Sequence, residues 1–497
     1  MVAFALVVFL CLLGWVPELQ LALVTVSLVG TSLLVAGRWY AARLRVYKLT
    51  KHRLVGRPLV SIHIPTYCEP PELVIQTLHS VLQLEYEHFE VIILDNNTPD
   101  ATVWQPVADY CEQLGDSRVR FYHYDKVKGY KAGALNLCYE LMSPAAEYIL
   151  VIDADYRVAP ELLDVALPHF GRPKVGLVQF PQAYLNVGRG NRAVQAEFEH
   201  FFGVYMNLAN HLDCVLSTGT VSLIRCAALE AANLWYGKSI TEDVDLGLRL
   251  HRAGYTGVYV PQALGKGLMP SDLASIRVQR ERWVYGNMQS LLHFCKSHKC
   301  LSLQQAGGVL LMLTAWFNPL LVPVLLLVVA GIASWVVPAS GVPVLVAQLC
   351  LANIAFYLVG QWTILYTGTH YRPRVATRTL LVHMGLAYEG ALHWWRVFLY
   401  DGMAFKRTNK FRLPANAQGF GGGLTLGLLV ALGTVLALSG SSALLLVGLA
   451  VALLFVSATF YLHHQLGAAH RYAQAYYEVP TSLVKATHST YTSTLSI

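Results

Sequence analysis

Apolar and polar positions along this chain follow two length scales. Long apolar runs near residues 19–37, 307–334, 342–367, 423–440 and 442–463 approach the roughly 20 helical residues that cross a bilayer core of about 30 Å. A shorter run, residues 1–16, lacks the basic leader of a signal peptide and reads as a first helix, tilted or thinning the bilayer. Between the second and third runs, residues 58–300 carry only short apolar stretches with frequent charges. Strand candidates there are "LVSIHI" (59–64), "EVIILD" (90–95), "RVRFYH" (118–123), "EYILVID" (147–153) and "VGLVQF" (175–180). "PELVIQTLHSVLQL" and "KAGALNLCYELM" lie between them, apolar at helical spacing. Strand, helix, strand at this rhythm predicts crossover units and an α/β domain with a mostly parallel sheet.

Composition agrees with two environments. The 497 residues are 55% hydrophobic and 13% charged, whereas an ordinary soluble protein is about 25% charged. Residues 38–57 hold seven Lys or Arg and no acid, and Arg372, Arg374, Arg378, Arg396, Lys406, Arg407, Lys410 and Arg412 crowd residues 371–412. The loops "WVPEL", "ASWVVPASGVP" and "SGSS" hold neither Lys nor Arg. By the positive-inside rule the soluble block and both termini are expected in the cytosol of a six-span protein of the plasma (inner) membrane. The expected layout is membrane helices in 1–37, a basic linker in 38–57, the soluble domain in 58–300, helices in 301–370, an interfacial helix and loop in 371–415, helices in 416–463 and a cytosolic tail in 464–497.

The net charge of +7 is then a topology signal, and nucleic acid is not an expected partner. The nine cysteines include no CxxC pair, and disulfides are not expected. His293, Cys295, His298 and Cys300 in "HFCKSHKC" resemble soft-metal ligands in type, but their spacing fits no common zinc motif.

In parallel sheets the ligand crevice opens at the carboxyl ends of strands. Those ends are polar here: "PTYCEP" (65–70), "DNNTPD" (95–100), and Asp153-Ala154-Asp155. Each could be a turn alone; together they favour one site. Two carboxylates one residue apart at the end of an apolar strand predict a shared divalent cation, Mg2+ or Mn2+, open to phosphate oxygens. In "SITEDVDLGLRLHRAGY" (239–255), Thr241 reads as an N-cap with Glu242 and Asp243 in the first turn. Acids there can serve the helix dipole or act as a general base.

The order Asp95, Asp153-Ala154-Asp155, Thr241-Glu242-Asp243 and "QRERW" (279–283), across about 190 residues between membrane helices, resembles the processive family-2 glycosyltransferases of GT-A fold. That group includes cellulose, curdlan and hyaluronan synthases. The resemblance implies a membrane-embedded, inverting hexosyltransferase that polymerises a β-linked glycan, cellulose-like, from a nucleotide sugar, with UDP-glucose the expected donor. It implies that Thr66, Tyr67, Glu69, Asp95 and Lys131 line the nucleotide site, with Asp95 on the base, and that Asp153 and Asp155 hold metal and diphosphate. Cys68 stands where the family usually shows Asn. Thr218, Gly219 and Thr220 of "STGT" would border the acceptor, Asp243 would be the base with Glu242 beside it, and Arg282 would meet the diphosphate. Gln279 and Trp283 would engage the acceptor, leaving Arg280 and Glu281 to the helix or its neighbours.

"FKRTNK" (405–410) is similar to a gating loop of cellulose synthases, with Arg407 in place of Val; Thr408 and Lys410 would then reach the diphosphate. Expected partners are the nucleotide sugar, the growing polysaccharide, the lipid bilayer, and accessory export or assembly proteins. About 34 residues follow the last predicted span, so a cyclic-dinucleotide regulatory barrel is not expected. The rival reading is transfer of one sugar to a membrane lipid, as in ceramide or diacylglycerol glucosyltransferases. A transporter or binding protein with a degenerate catalytic domain would lack principal acids, and none is missing.

Overall fold

A computed structural model describes residues 16–44, 56–270, 272–297, 301–336, 341–369, 371–399, 421–438 and 440–478. The five predicted strands form where the apolar runs stand. They are β1 (Leu59–Thr66), β2 (Phe89–Asn96), β3 (Val119–Tyr124), β4 (Ala146–Val151) and, after the two-residue β5 (Arg157–Val158), β6 (Val175–Gln179). The chain then adds β7 (Ala183–Tyr184), β8 (Ser222–Arg225), β9 (Thr256–Tyr259) and β10 (Gly265–Gly267).

Seven strands make one sheet in the order β3-β2-β1-β4-β8-β6-β9. β1, β2, β3 and β4 are mutually parallel, joined by helices that include Pro71–Leu82 and Tyr130–Leu141, and β6 runs parallel to β9. The exception is β8, antiparallel to both β4 and β6. A small sheet, β5-β10-β7, sits beside it. Ile62, Ile64, Val91 and Ile93 are fully buried among the helices on one face. Truncating such a residue to Ala costs about 2–5 kcal/mol.

Among the described residues, three helices are long and apolar enough to cross a membrane: Pro17–Arg43, Val342–Gly368 and Ser442–Arg471. Leu303–Leu313, Leu321–Val336 and Gly423–Leu438 are shorter apolar helices. The run expected as one span over 307–334 is therefore broken. Pro319 cannot donate a helical hydrogen bond, and the Asn318 side chain accepts from the Leu320 amide at 3.0 Å, starting the second helix. The carbonyls freed by the break are met by Arg38 of the Pro17–Arg43 helix. Its guanidinium, 0% exposed, donates to Thr314 O at 2.7 Å and Phe317 O at 2.8 Å. The expected helix at residues 1–16 lies outside the described residues apart from its last position.

The segment read as interfacial forms helices Pro373–Gly385 and Ala387–Leu392 and a 3-10 turn, His393–Phe398. Pro373–Gly385 packs on the last membrane helix and on Arg192–His200 of the α/β domain. Arg277 and Glu281 of the long helix Leu273–Ser297 pair with Glu389 and Arg396, so this helix and the segment read as interfacial are joined by charge.

Candidate active site

At the carboxyl ends of β1, β2 and β4 a cavity of about 380 Å3 opens. It gathers Thr66, Tyr67, Glu69, Lys131, Asp153, Asp155, Thr218, Gly219, Glu242, Asp243, Gln279, Arg282 and Trp283, drawn from residues 66 to 283. Tyr130, Asn96, Asn97, Gln182 and Thr241 also line it.

Two predicted residues stand behind the wall. Asp95, 2% exposed, accepts from the Thr66 hydroxyl at 2.9 Å and the Thr98 hydroxyl at 2.8 Å, and its second oxygen lies 2.8 Å from His123 Nδ1. It braces the β1 and β2 termini, while Asn96 and Asn97 beside it line the cavity. Thr220 is buried, its hydroxyl accepting from the Asp153 amide at 3.0 Å and its carbonyl from Gln179 at 2.9 Å. Thr408 and Lys410 lie outside the described residues.

Lys131 holds the centre. Its ammonium donates to Asp153 at 2.5 Å and to the Gly219 carbonyl at 2.7 Å, tying the strand-end acid to the "STGT" loop. Burial works against its charge, but Asp153, then Glu242 and Asp243, outweigh that and raise its pKa. Gly219 has φ +85°, and a Cβ there would stand 2.8 Å from Asp243 Oδ2. Only a residue without a side chain brings this loop so close to the carboxylate. Likewise, a Cβ on Gly286 would stand 2.4 Å from the Thr241 side chain. That close approach lets Leu273–Ser297 carry Gln279, Arg282 and Trp283 to the cavity.

Helix Glu242–Arg252 separates the three acids of its first turn. Asp245 is buried and paired with Arg249 at 2.7 Å, one helical turn on, while Glu242 and Asp243 line the cavity. Burial first, and then the like charge of Glu242, push the Asp243 carboxyl up to about 7, against the pull of Lys131. A carboxylate poised there suits a general base. Burial lowers the Arg282 pKa, opposed by Glu242, Asp243 and Asp153. Thr241 occupies the expected cap position but makes no side-chain capping bond. Thr241 Oγ1, Thr218 Oγ1 and Gln279 Oε1 are buried atoms with no hydrogen-bond partner among the described residues. Buried polar atoms in native proteins are nearly always satisfied, so three beside one cavity set its wall apart from an ordinary core.

Asp153 and Asp155 are the residues here that could hold a cation, and both are hard oxygen donors. Asp155 is fixed by the Leu268 amide at 2.9 Å. Among the described residues no group of three or more His, Cys, Asp or Glu side chains could hold a metal ion. A cation on the two aspartates would complete its shell with water and substrate oxygens, as Mg2+ habitually does.

A smaller cavity of about 70 Å3 shares Asp243, Trp283, Thr218, Thr241 and Gln182 with the first. Its other walls include Phe198, Phe201, Phe202, Met312, Leu313 and Trp316, the last three at the membrane-helix break, together with the polar Ser217 and Asn287. Trp283 and Trp316 stack with centroids 5.1 Å apart, and Phe201 stacks on Trp316 at 5.3 Å. Sequence reasoning missed Trp316 and Phe201, since both sit in apolar runs where an aromatic residue carries no distinctive signal. Cys68 has φ +50°, a left-handed conformation that Asn tolerates well, which fits the position where the resembling family shows Asn.

Comparisons with known proteins bear on the fold and the family. The profile described as glycosyl transferase family group 2 matches residues 148–363, and that of glycosyl transferase family 2 matches residues 61–232. A probable glucomannan 4-beta-mannosyltransferase 3 of Oryza sativa subsp. japonica is 29% identical over 242 residues, 47% of this chain and 43% of that protein. Glucomannan 4-beta-mannosyltransferase 7 of Arabidopsis thaliana is 27% identical over 241 residues, 46% of this chain and 42% of that protein. The matched region spans less than half the length of these relatives. Among solved structures, a mannosyltransferase from Pyrobaculum calidifontis in complex with GDP-Man and Mn2+ superposes with a TM-score of 0.54 at 18% identity. That likeness covers 74% of this chain and 99% of the other, and it is a likeness of fold. Both profiles fall on the sheet and the cavity at its strand ends, so residues 61–363 carry glycosyltransferase family 2 domain matches on a mostly parallel α/β domain of the GT-A type.

Proposed function

We propose that this protein is a membrane-embedded, inverting hexosyltransferase that extends a β-linked polysaccharide from a nucleotide sugar and passes the product between its own helices. One observation carries the reading: Asp243 lines both the polar cavity of donor-type residues and the aromatic cavity that ends at the membrane-helix break. A base at that junction can touch a sugar donor on one side and an acceptor hydroxyl on the other.

In this reading Lys131 and Arg282 face the diphosphate, and their fixed charges stabilise the negative charge that grows on it. Mg2+ or Mn2+, when held by Asp153 and Asp155, supplies further neutralisation of the departing group. Asp243 takes the proton of the acceptor hydroxyl. The acceptor oxygen forms a bond to the anomeric carbon as the bond from that carbon to the phosphate oxygen breaks, and the nucleoside diphosphate departs. One displacement inverts the centre, so an α-linked donor yields a β-linkage. Gln279 and Trp283 hold the acceptor end, Trp283 by stacking against the sugar ring. Asp95 acts on the base site by bracing the β1 and β2 termini.

The sugar separates two forms of this reading. The motif resemblance leads to glucose from UDP-glucose, whereas the names of the plant relatives support mannose, and the archaeal mannosyltransferase of like fold is bound to GDP-Man. Incubating the purified protein with UDP-glucose, GDP-glucose and GDP-mannose, each radiolabelled, and digesting the product with linkage-specific β-glucanase or β-mannanase decides between them. Transfer of a single sugar to lipid from every donor would overturn the polymer reading. The catalytic domain and both termini are assigned to the cytosol of the plasma (inner) membrane on the Lys and Arg bias of the loops.

A further inference from the structure

Arg280 is the arginine of "QRERW" that does not line the donor cavity. It is 3% exposed, and its Nε and Nη2 find no hydrogen-bond partner among the described residues. A guanidinium buried this way is costly unless its charge is met otherwise. Glu197 Oε1 lies 3.6 Å from Nη2, and Glu197 is itself buried and held by His383 Nδ1 at 3.1 Å. The rest of the compensation is aromatic: the guanidinium carbon stands 3.8 Å from the Trp316 ring centroid, 5.5 Å from that of Trp283 and 5.7 Å from that of Phe198. These three rings are walls of the smaller cavity that Asp243 and Trp283 share with the donor side.

We infer that Arg280, with Glu197 as its counter-ion, is a positioning residue for the acceptor: its planar cation fixes the faces of Trp316 and Trp283, setting how the terminal sugar lies relative to Asp243. The inference rests on the reading that a glycan acceptor occupies the aromatic cavity. Planarity is essential to it. A guanidinium stacks flat on a ring, whereas the ammonium of lysine is a compact, strongly hydrated point charge that leaves the ring plane unspecified. One turn of helix thus serves both substrates, with Arg282 turned to the donor cavity and Arg280 to the acceptor wall. Glu281 and Arg277 meanwhile hold the interfacial segment through Arg396 and Glu389.

The test uses the full-length purified protein with whichever nucleotide sugar the wild type consumes. It compares Arg280→Lys with the paired Arg280→Met and Glu197→Met substitutions, which remove the charge pair without leaving an unpaired ion. Product length, donor KM and the ratio of donor hydrolysis to transfer are read for each. The paired Met variant is expected to shorten the product about tenfold, the loss of one desolvated cation–π contact, and Arg280→Lys, which keeps the charge without the flat contact, by a smaller factor; both should raise uncoupled hydrolysis, with donor KM unchanged. Wild-type product length and coupling in both would overturn the inference. So would a proportional rise in donor KM, which marks a general structural defect. A wild type that makes only a single-sugar lipid would overturn the acceptor reading itself, and is seen before any variant is assayed.

Discussion

The two cavities that meet at Asp243 are built on opposite principles. On the donor side the acids are held before substrate arrives: Asp95 by two threonine hydroxyls and His123, Asp153 by Lys131, Asp155 by a backbone amide. Such a site pays no reorganisation cost when charge develops on a diphosphate. Toward the acceptor, the wall keeps the Thr218 and Thr241 hydroxyls without partners among the described residues and is dominated by apolar side chains and stacked rings. Ring faces bind a sugar through apolar contact with little directional demand, so a chain can advance by one residue without breaking a fixed hydrogen-bond pattern. Under the proposed function, rigid polarity serves the group that leaves, and the apolar surface serves a chain that slides.

The sharpest way to break that division is Asp243→Asn, which keeps the shape of the junction and removes the base. Transfer should fall by about 10²–10⁴-fold, the range of general-base contributions, while nucleoside diphosphate binding measured by thermal shift stays unchanged; substantial residual turnover would contradict the assignment. Chelation comes next. EDTA should abolish transfer, with Mg2+ or Mn2+ restoring it, and Asp155→Asn should raise the metal concentration needed for half-maximal rate.

Gly219→Ala should follow, because it forces a side chain into a left-handed backbone and against the Asp243 carboxylate at 2.8 Å. Strain of this kind costs about 1–3 kcal/mol; kinetics should show a fall in kcat with a smaller change in donor KM. Trp283→Ala loses the stacking platform and should shorten the product while leaving donor KM near wild type. The smallest effect is on pH. Asp243 must be ionised to act, so kcat/KM should climb as pH rises through about 7. Glu242→Gln removes the like charge that helps raise that pKa and should move the rising limb to lower pH. A limb that stays in place would separate Glu242 from the base.

Much of this architecture was legible in the pattern of residues because local and global preferences agree. β-branched runs such as "EVIILD" are buried on both faces, as central parallel strands require, and polar clusters fall at their carboxyl ends. The reversal of β8 was not legible: "SLIR" is short, and direction within a sheet follows from connections far along the chain. The single span expected over 307–334 failed for a different reason, since hydropathy averages over Asn318 and Pro319 and cannot see Arg38 capping the break from 276 residues away in sequence. For the site, acids and cations announced themselves, and thirteen of the expected residues converge on one cavity. The acceptor wall did not, because Phe201 and Trp316 look like core. The neighbours that give Arg280 its role, Glu197 and Trp316, lie outside its motif.

The central claim is that one chain joins a donor site to an aromatic exit at Asp243 and so makes polymer. Its most direct test is the size distribution of the product formed by purified wild-type protein under excess donor. The account predicts a β-linked chain of many sugars, degraded by a linkage-specific endo-hydrolase, formed before detectable accumulation of short intermediates. A product that stops at one sugar on a lipid, at every donor concentration, would contradict it.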